Sequence, residues 1–222
     1  MSQGLLTILQ AENHNQASSM LANSLIDIIS QNNGEGTIGL AGGATPSLAY
    51  SIIGKDPSIL SNVTFWLTDE RWVHHDDDLS NCKMIKNSFG ENSIALLCPE
   101  FSGDNALLDA EKYTEKIFSS FTDFTCAVLG VGDDGHTASL FPGSSTLTEQ
   151  GAKFVVTNVE ANPPIRITAT FDLLAQINNL HLLVTGNSKK DIVQEIIKGE
   201  TNLPVNQLIN MRNETYLLTD QL

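Results

Sequence analysis

Apolar and polar positions fall into alternating blocks along nearly the whole chain. Short apolar runs predict strands at 5–9, 37–40, 63–67, 126–130, 154–156, 180–184 and 216–218. Between them the apolar residues recur at helical spacing. Ala17, Leu21, Leu25, Ile28 and Ile29 mark a helix over about 14–31, and similar patterns predict helices at 79–89, 107–118, 167–177 and 188–198. Pro46, suited to a first helical turn, opens a further helix running to about Ile53. This β-α alternation is the signature of an α/β protein: a doubly wound, mostly parallel sheet with helices on both faces, Rossmann-like. No internal repeat, low-complexity stretch or linker divides the chain, so residues 1–222 are expected to form one domain. Asn162-Pro163-Pro164 reads as a rigid loop inside it.

Composition narrows the function classes. At 41% hydrophobic residues the chain can build a core, yet no window approaches the ~20 apolar residues of a membrane span. Met1-Ser2-Gln3-Gly4 has no basic region and no signal-peptide layout. Cys82, Cys98 and Cys126 are odd in number and contain no C-x-x-C pair. Neither a disulfide framework nor a zinc site is therefore expected, and a reduced, cytoplasmic setting follows. The formal charge of −14 argues against nucleic acid as a partner, because phosphate neutralisation needs clustered Lys and Arg. With only 12 Lys+Arg, each cation beside a glycine-rich turn becomes a candidate for a small anionic ligand.

The strand at 126–130 leads into Gly130-Val131-Gly132-Asp133-Asp134-Gly135-His136, where glycines allow a tight turn and close approach to a ligand. His is the side chain suited to proton transfer near neutrality, and Asp134 two residues away can orient its ring. Ala41-Gly42-Gly43-Ala44-Thr45-Pro46 joins a strand to a helix. Gly42, Gly43 and Thr45 offer amide and hydroxyl donors to an anion, although a plain turn accounts for the sequence equally well. It is neither a Walker A loop nor G-x-G-x-x-G. Asp69-Glu70-Arg71 follows another strand. Arg71 is either a bidentate phosphate or carboxylate contact or half of a local surface pair. His74-His75 with Asp76-Asp77-Asp78 reads as a solvated loop rather than a metal site, and Ser80-Asn81 as helix caps. Arg166 opens the helical run after the double proline, and Lys189 follows Gly186 at another strand-to-helix turn. His14 and His181 read as structural or surface residues.

Taken in order, Gly42-Gly43-x-Thr45-Pro46, Asp69-Glu70-Arg71-x-Val73, Ser80-Asn81, Gly130-x-Gly132-x-Asp134-Gly135-His136-Thr137-Ala138-Ser139-Leu140-Phe141-Pro142, Arg166-Ile167-Thr168 and Gly186-x-x-Lys189 resemble the 6-phosphogluconolactonases of the glucosamine-6-phosphate deaminase/isomerase superfamily. The Thr-Ala-Ser-Leu-Phe-Pro ending is the lactonase form of that run. Ala44, Trp72 and the loosely matching Asp220 are departures. The resemblance implies hydrolysis of 6-phospho-D-glucono-1,5-lactone, with no cofactor or metal, by a monomer or weak homo-oligomer. It implies His136 as base on water, Asp134 as its orienting partner, and Arg166 or backbone amides at the developing oxyanion. Gly42, Gly43, Thr45, Asp69, Arg71 and Lys189 would hold the phosphorylated sugar. Two alternatives stand beside it: an amino-sugar-phosphate deaminase/isomerase, which Leu140-Phe141-Pro142 disfavours, and a non-catalytic sugar-phosphate sensor.

Overall fold

In the computed structural model, which describes residues 4–55, 60–199 and 202–222, the predicted strands other than 154–156 enter a seven-stranded sheet, whose remaining member at 95–97 the apolar pattern does not predict. The first three residues, read above for a leader, lie outside the described residues. Strands β1 (Leu5–Gln10), β2 (Glu35–Leu40), β3 (Asn62–Leu67), β5 (Ala95–Leu97), β6 (Cys126–Leu129), β9 (Asn179–Val184) and β10 (Glu214–Thr219) lie in the order β1-β10-β9-β6-β2-β3-β5. Every pairing in this sheet is parallel. The chain proceeds outward from β2 through β3 to β5, then returns to β6 and runs the other way. The order therefore reverses between β2 and β6.

Side chains alternate across a strand, and here both faces are apolar because both are covered. Ile38 and Leu40 of β2, Phe65 of β3 and Val128 of β6 pack against helices α1 (His14–Gln31), α2 (Ala44–Ile53) and α3 (Asn81–Ser88). Trp66, Ala127, Leu129 and Leu182 point the opposite way. They meet α4 (Ala106–Ser120), α5 (Phe171–Ala175), α6 (Lys190–Lys198) and α7 (Pro204–Asn210). Each fully buried side chain of this size contributes roughly 1.5–3 kcal/mol.

Two expectations are corrected. The segment predicted as one helix over 167–177 is a strand followed by a single helical turn. Ile165–Ala169 (β8) pairs antiparallel with β4 (Asp69–Arg71) on one side and β7 (Phe154–Asn158) on the other, forming a second, three-stranded sheet. The β-branched residues of Ile165-Arg166-Ile167-Thr168 suit a strand, and Thr170 separates the elements by capping α5, accepting from Leu173 N. Cysteine usage is the second correction. Cys82 at the start of α3 and Cys98 just past β5 are joined by a disulfide, with Cα atoms 6.1 Å apart. The pairing arises from tertiary proximity across 16 positions, which no short-range cysteine motif reveals, and the argument from cysteines to a reduced setting falls with it. No helix among the described residues is long and apolar enough to cross a membrane.

Candidate active site

Open parallel sheets bind ligands beyond the carboxyl ends of the strands where strand order reverses. That position, between β2 and β6, holds a cleft of about 280 Å³. Gly42, Gly43 and Thr45 enter it from the end of β2, Asp69 and Arg71 from β4, and His136 from the turn after β6. Arg166 comes from β8 and Lys189 from the turn after β9. Asp134 does not line the cleft but stands against His136.

The His136 turn is built by its glycines. Gly132 N donates to His136 O (2.9 Å) and Gly135 N to Gly132 O (3.0 Å), closing the loop. His136 Nδ1 lies 2.6 Å from Asp134 Oδ1, which also accepts from His136 N at 3.1 Å. With Nδ1–H committed to the carboxylate, Nε2 is left as the acceptor. A methyl group on Gly132 would land on His136 Nδ1 and Asp134 Oδ1, so only glycine leaves the pair intact. Phe141 stacks on the imidazole at 4.1 Å and fixes the ring plane. Partial burial favours the protonated form of Asp134, but the amide and ring of His136 outweigh it and hold the carboxyl below its usual range. From behind, α7 supports the turn: Val205 N donates to Gly135 O (3.1 Å) and Leu203 packs where a side chain on Gly135 would sit. Sequence reading missed α7 altogether.

Across the cleft, Gly43 precedes α2 with φ of +93° and no side chain caps the helix. The first amides of α2 therefore remain available as donors, at the positive end of the helix dipole. Lys189 lines the same cleft but is tethered to the turn that carries His136, its Nζ donating to Val131 O (2.9 Å) and Asp133 Oδ1 (2.6 Å). Asp220, a loose match in sequence, orders the neighbouring turn by accepting from Gly186 N at 2.8 Å.

Arg71 and Arg166 are direct partners across the β4–β8 pairing. Burial, and then the Arg71 charge, lower the pKa of Arg166, while Asp69 and Glu70 act in the opposite direction. Arg166 Nε donates to Pro163 O (3.0 Å), and Arg71 Nη1 to Leu79 O (2.7 Å). Asp69 is buried and accepts from Ser139 Oγ at 2.7 Å, which ties β4 to the Thr137–Pro142 run. Asn81 was read as a cap, but Ser80 is the cap and Asn81 lines the cleft. Its side chain donates to Asp69 O at 2.9 Å, and its Oδ1 fills the place a Cβ on Gly42 would need. His181 and His14 are structural: His181 is buried with Nε2 2.9 Å from Ser24 Oγ, and His14 Nδ1 meets Thr185 Oγ1 at 2.8 Å.

Fold and site together define a Rossmann-like α/β protein whose cleft holds a histidine paired with a carboxylate, three cations and the amide start of a helix. The sequence profile of the glucosamine-6-phosphate isomerases/6-phosphogluconolactonase family matches residues 10–217. A probable 6-phosphogluconolactonase of Dictyostelium discoideum is 31% identical over 225 residues, covering 94% of both chains. The 6-phosphogluconolactonase of Haemophilus influenzae is 33% identical over 178 residues, covering 76% of each. Among solved structures, 6-phosphogluconolactonase from Trypanosoma cruzi superposes with a TM-score of 0.88 over 100% of this chain and 96% of that one, at 24% identity. The chain belongs to the glucosamine-6-phosphate isomerase/6-phosphogluconolactonase family.

Proposed function

We propose that this protein hydrolyses 6-phospho-D-glucono-1,5-lactone to 6-phospho-D-gluconate, the second step of the oxidative pentose phosphate pathway. The observation that carries this reading is His136, backed by Asp134, in one cleft with the amide start of α2, Arg71, Arg166 and Lys189. A δ-lactone is an activated ester, so a positioned base and water suffice. His136 Nε2 takes a proton as water oxygen adds to the lactone carbonyl. The imidazolium is stabilised by Asp134, and the developing oxyanion is met by backbone amides or Arg166. Collapse breaks the bond between the carbonyl carbon and the ring oxygen, which recovers the proton from His136. The 6-phosphate is held by Gly42, Gly43 and Thr45, with Arg71 and Lys189 as charged partners. Asp69, fixed by Ser139, places a negative charge near Arg166 that offsets part of the repulsion from Arg71. The packing of the Thr137–Pro142 run supports the lactonase over the deaminase, since Leu140 is buried in the core and Phe141 covers the His136 ring. A charged phospholactone that opens spontaneously in water has to be consumed where it is made, which suits a cytoplasmic setting.

The test supplies freshly made 6-phosphogluconolactone and follows acid release against the spontaneous rate. His136→Ala should reduce turnover about 10² to 10⁴-fold while 6-phosphogluconate still binds. Near-normal turnover in that variant would exclude His136 as the base.

A further inference from the structure

Glu70 lies between two residues that line the cleft but does not line it, and its surroundings are unlike those of an ordinary surface carboxylate. Its side chain is buried, and it collects four donors. Arg71 N and Asn81 N reach Oε1, each at 2.7 Å; Cys82 N reaches Oε2 at 2.7 Å and Ser80 Oγ reaches it at 3.1 Å. The first amides of α3 would otherwise be orphaned. Here Asn81 N and Cys82 N go to Glu70, and Lys83 N goes to Ser80 Oγ at 3.2 Å.

The same segment is laced to β4 at two further points. Arg71 Nη1 donates to Leu79 O, and Asn81 Nδ2 returns to Asp69 O. From the other side, Cys82 is bonded to Cys98. Among the described residues, without Glu70 the strand that carries Arg71 and the start of α3 that carries Asn81 would keep only those two of the hydrogen bonds named here.

We propose that Glu70 is a positioning residue: its carboxylate clamps β4 to the start of α3 and so sets the placement of Arg71 and Asn81 in the anion-binding wall. Burial raises the Glu70 pKa to about 7, against the amides of Cys82, Asn81 and Arg71, which lower it; in the ionised form, which prevails above that pH, the carboxylate accepts from all four donors at once. A glutamine would offer one oxygen and turn an NH₂ group toward two of the donors. An aspartate would carry the charge on a side chain one methylene too short. The inference rests on the lactonase reading for its kinetic arm, but not for its binding arm.

The experiment compares wild type, Glu70→Gln, Arg71→Ala and the double variant in two readouts: KM and kcat for the lactone, and the Kd of inorganic phosphate by calorimetry. Glu70→Gln should raise both KM and the phosphate Kd about tenfold, the size of one lost hydrogen bond to a charged group. kcat should stay within about threefold, because the His136 turn is untouched. In the Arg71→Ala background the same change should add less than about threefold, since Arg71 is the charged group that Glu70 places and only the contribution through Asn81 is left. A lower melting temperature with KM and Kd unchanged would overturn the proposal, as would effects of Glu70→Gln and Arg71→Ala that simply multiply. If Glu70→Gln does not fold, Glu70→Asp, which keeps the charge, carries the test; wild-type KM and Kd there would also overturn it. A wild type that bound phosphate but left the lactone untouched would sink the lactonase reading while leaving the calorimetric arm intact.

Discussion

Gly132→Ala separates catalytic geometry from stability in one methyl group. Gly132 does not occupy the left-handed region, so alanine meets no backbone penalty there. Gly→Ala at a compatible position stabilises a chain by about 0.4–1 kcal/mol through the unfolded state. The added Cβ, however, overlaps both His136 Nδ1 and Asp134 Oδ1. To restore ordinary contact the imidazole must withdraw by about 1 Å, a misplacement that costs a positioned reaction about 10²-fold, or roughly 2.7 kcal/mol of transition-state stabilisation. The loss should fall on kcat, since the phosphate wall lies across the cleft. Initial rates with fresh lactone, corrected for spontaneous opening, give the kinetic half of the test. Thermal melts give the other half: the backbone gain is offset by the disturbed His136–Asp134 hydrogen bond, about 1.5–3 kcal/mol, so the midpoint should fall by only a few degrees. Wild-type kcat in a well-folded Gly132→Ala protein would show that the Asp134–His136 contact does not govern turnover.

Two further perturbations probe the charged groups. Asp133→Asn frees Lys189 from its carboxylate partner and removes one negative charge from the cleft rim. Inorganic phosphate should then bind about two- to fivefold more tightly, as expected for loss of a half-exposed pair, and weaker binding would show that Asp133 places Lys189 rather than competing for it. Burial, with the Arg212 charge adding to it, lowers the pKa of His181 from 6.5 to about 4. The unfolded chain therefore takes up a proton that the folded chain refuses. Stability from this residue is complete above about pH 6.5 and falls as the pH drops toward 4, by about 3 kcal/mol in all. Urea midpoints of wild type and His181→Gln should diverge between pH 7 and pH 4.5, with the variant losing less; parallel curves would refute the assignment.

Most of the main sheet was legible because buried parallel strands leave unbroken apolar runs. The observed ends of β2, β3 and β9 differ from the predicted ones by only a residue or two. Ile165–Ala169 was misread because its five residues run straight into Phe171, Leu173, Leu174 and Ile177, which extend the same apolar register at helical spacing. Only the cap at Thr170 divides them. Helix α7 is a short element behind Pro204, too brief to establish a period. In the site, His136, Asp134 and the glycine turns could be found because chemistry demands those residue types at strand ends. Glu70, Asn81 and Ser139 could not. Ser139 acquires its role from Asp69, 70 positions away, and Glu70 from α3, 10 to 12 positions away. The Cys82–Cys98 link is of the same long-range kind.

The strand order also sets a timetable for synthesis. β1, near the start of the chain, has β10 as its partner, from Leu5 opposite Glu214 to Gln10 opposite Thr219. The catalytic turn likewise waits for Val205 to supply the amide that supports Gly135. On the ribosome, β2, β3 and β6 can assemble long before either event. β1 must then remain unpaired until β10 has emerged. The catalytic turn and this edge of the sheet are completed only after β2, β3 and β6 are already in place.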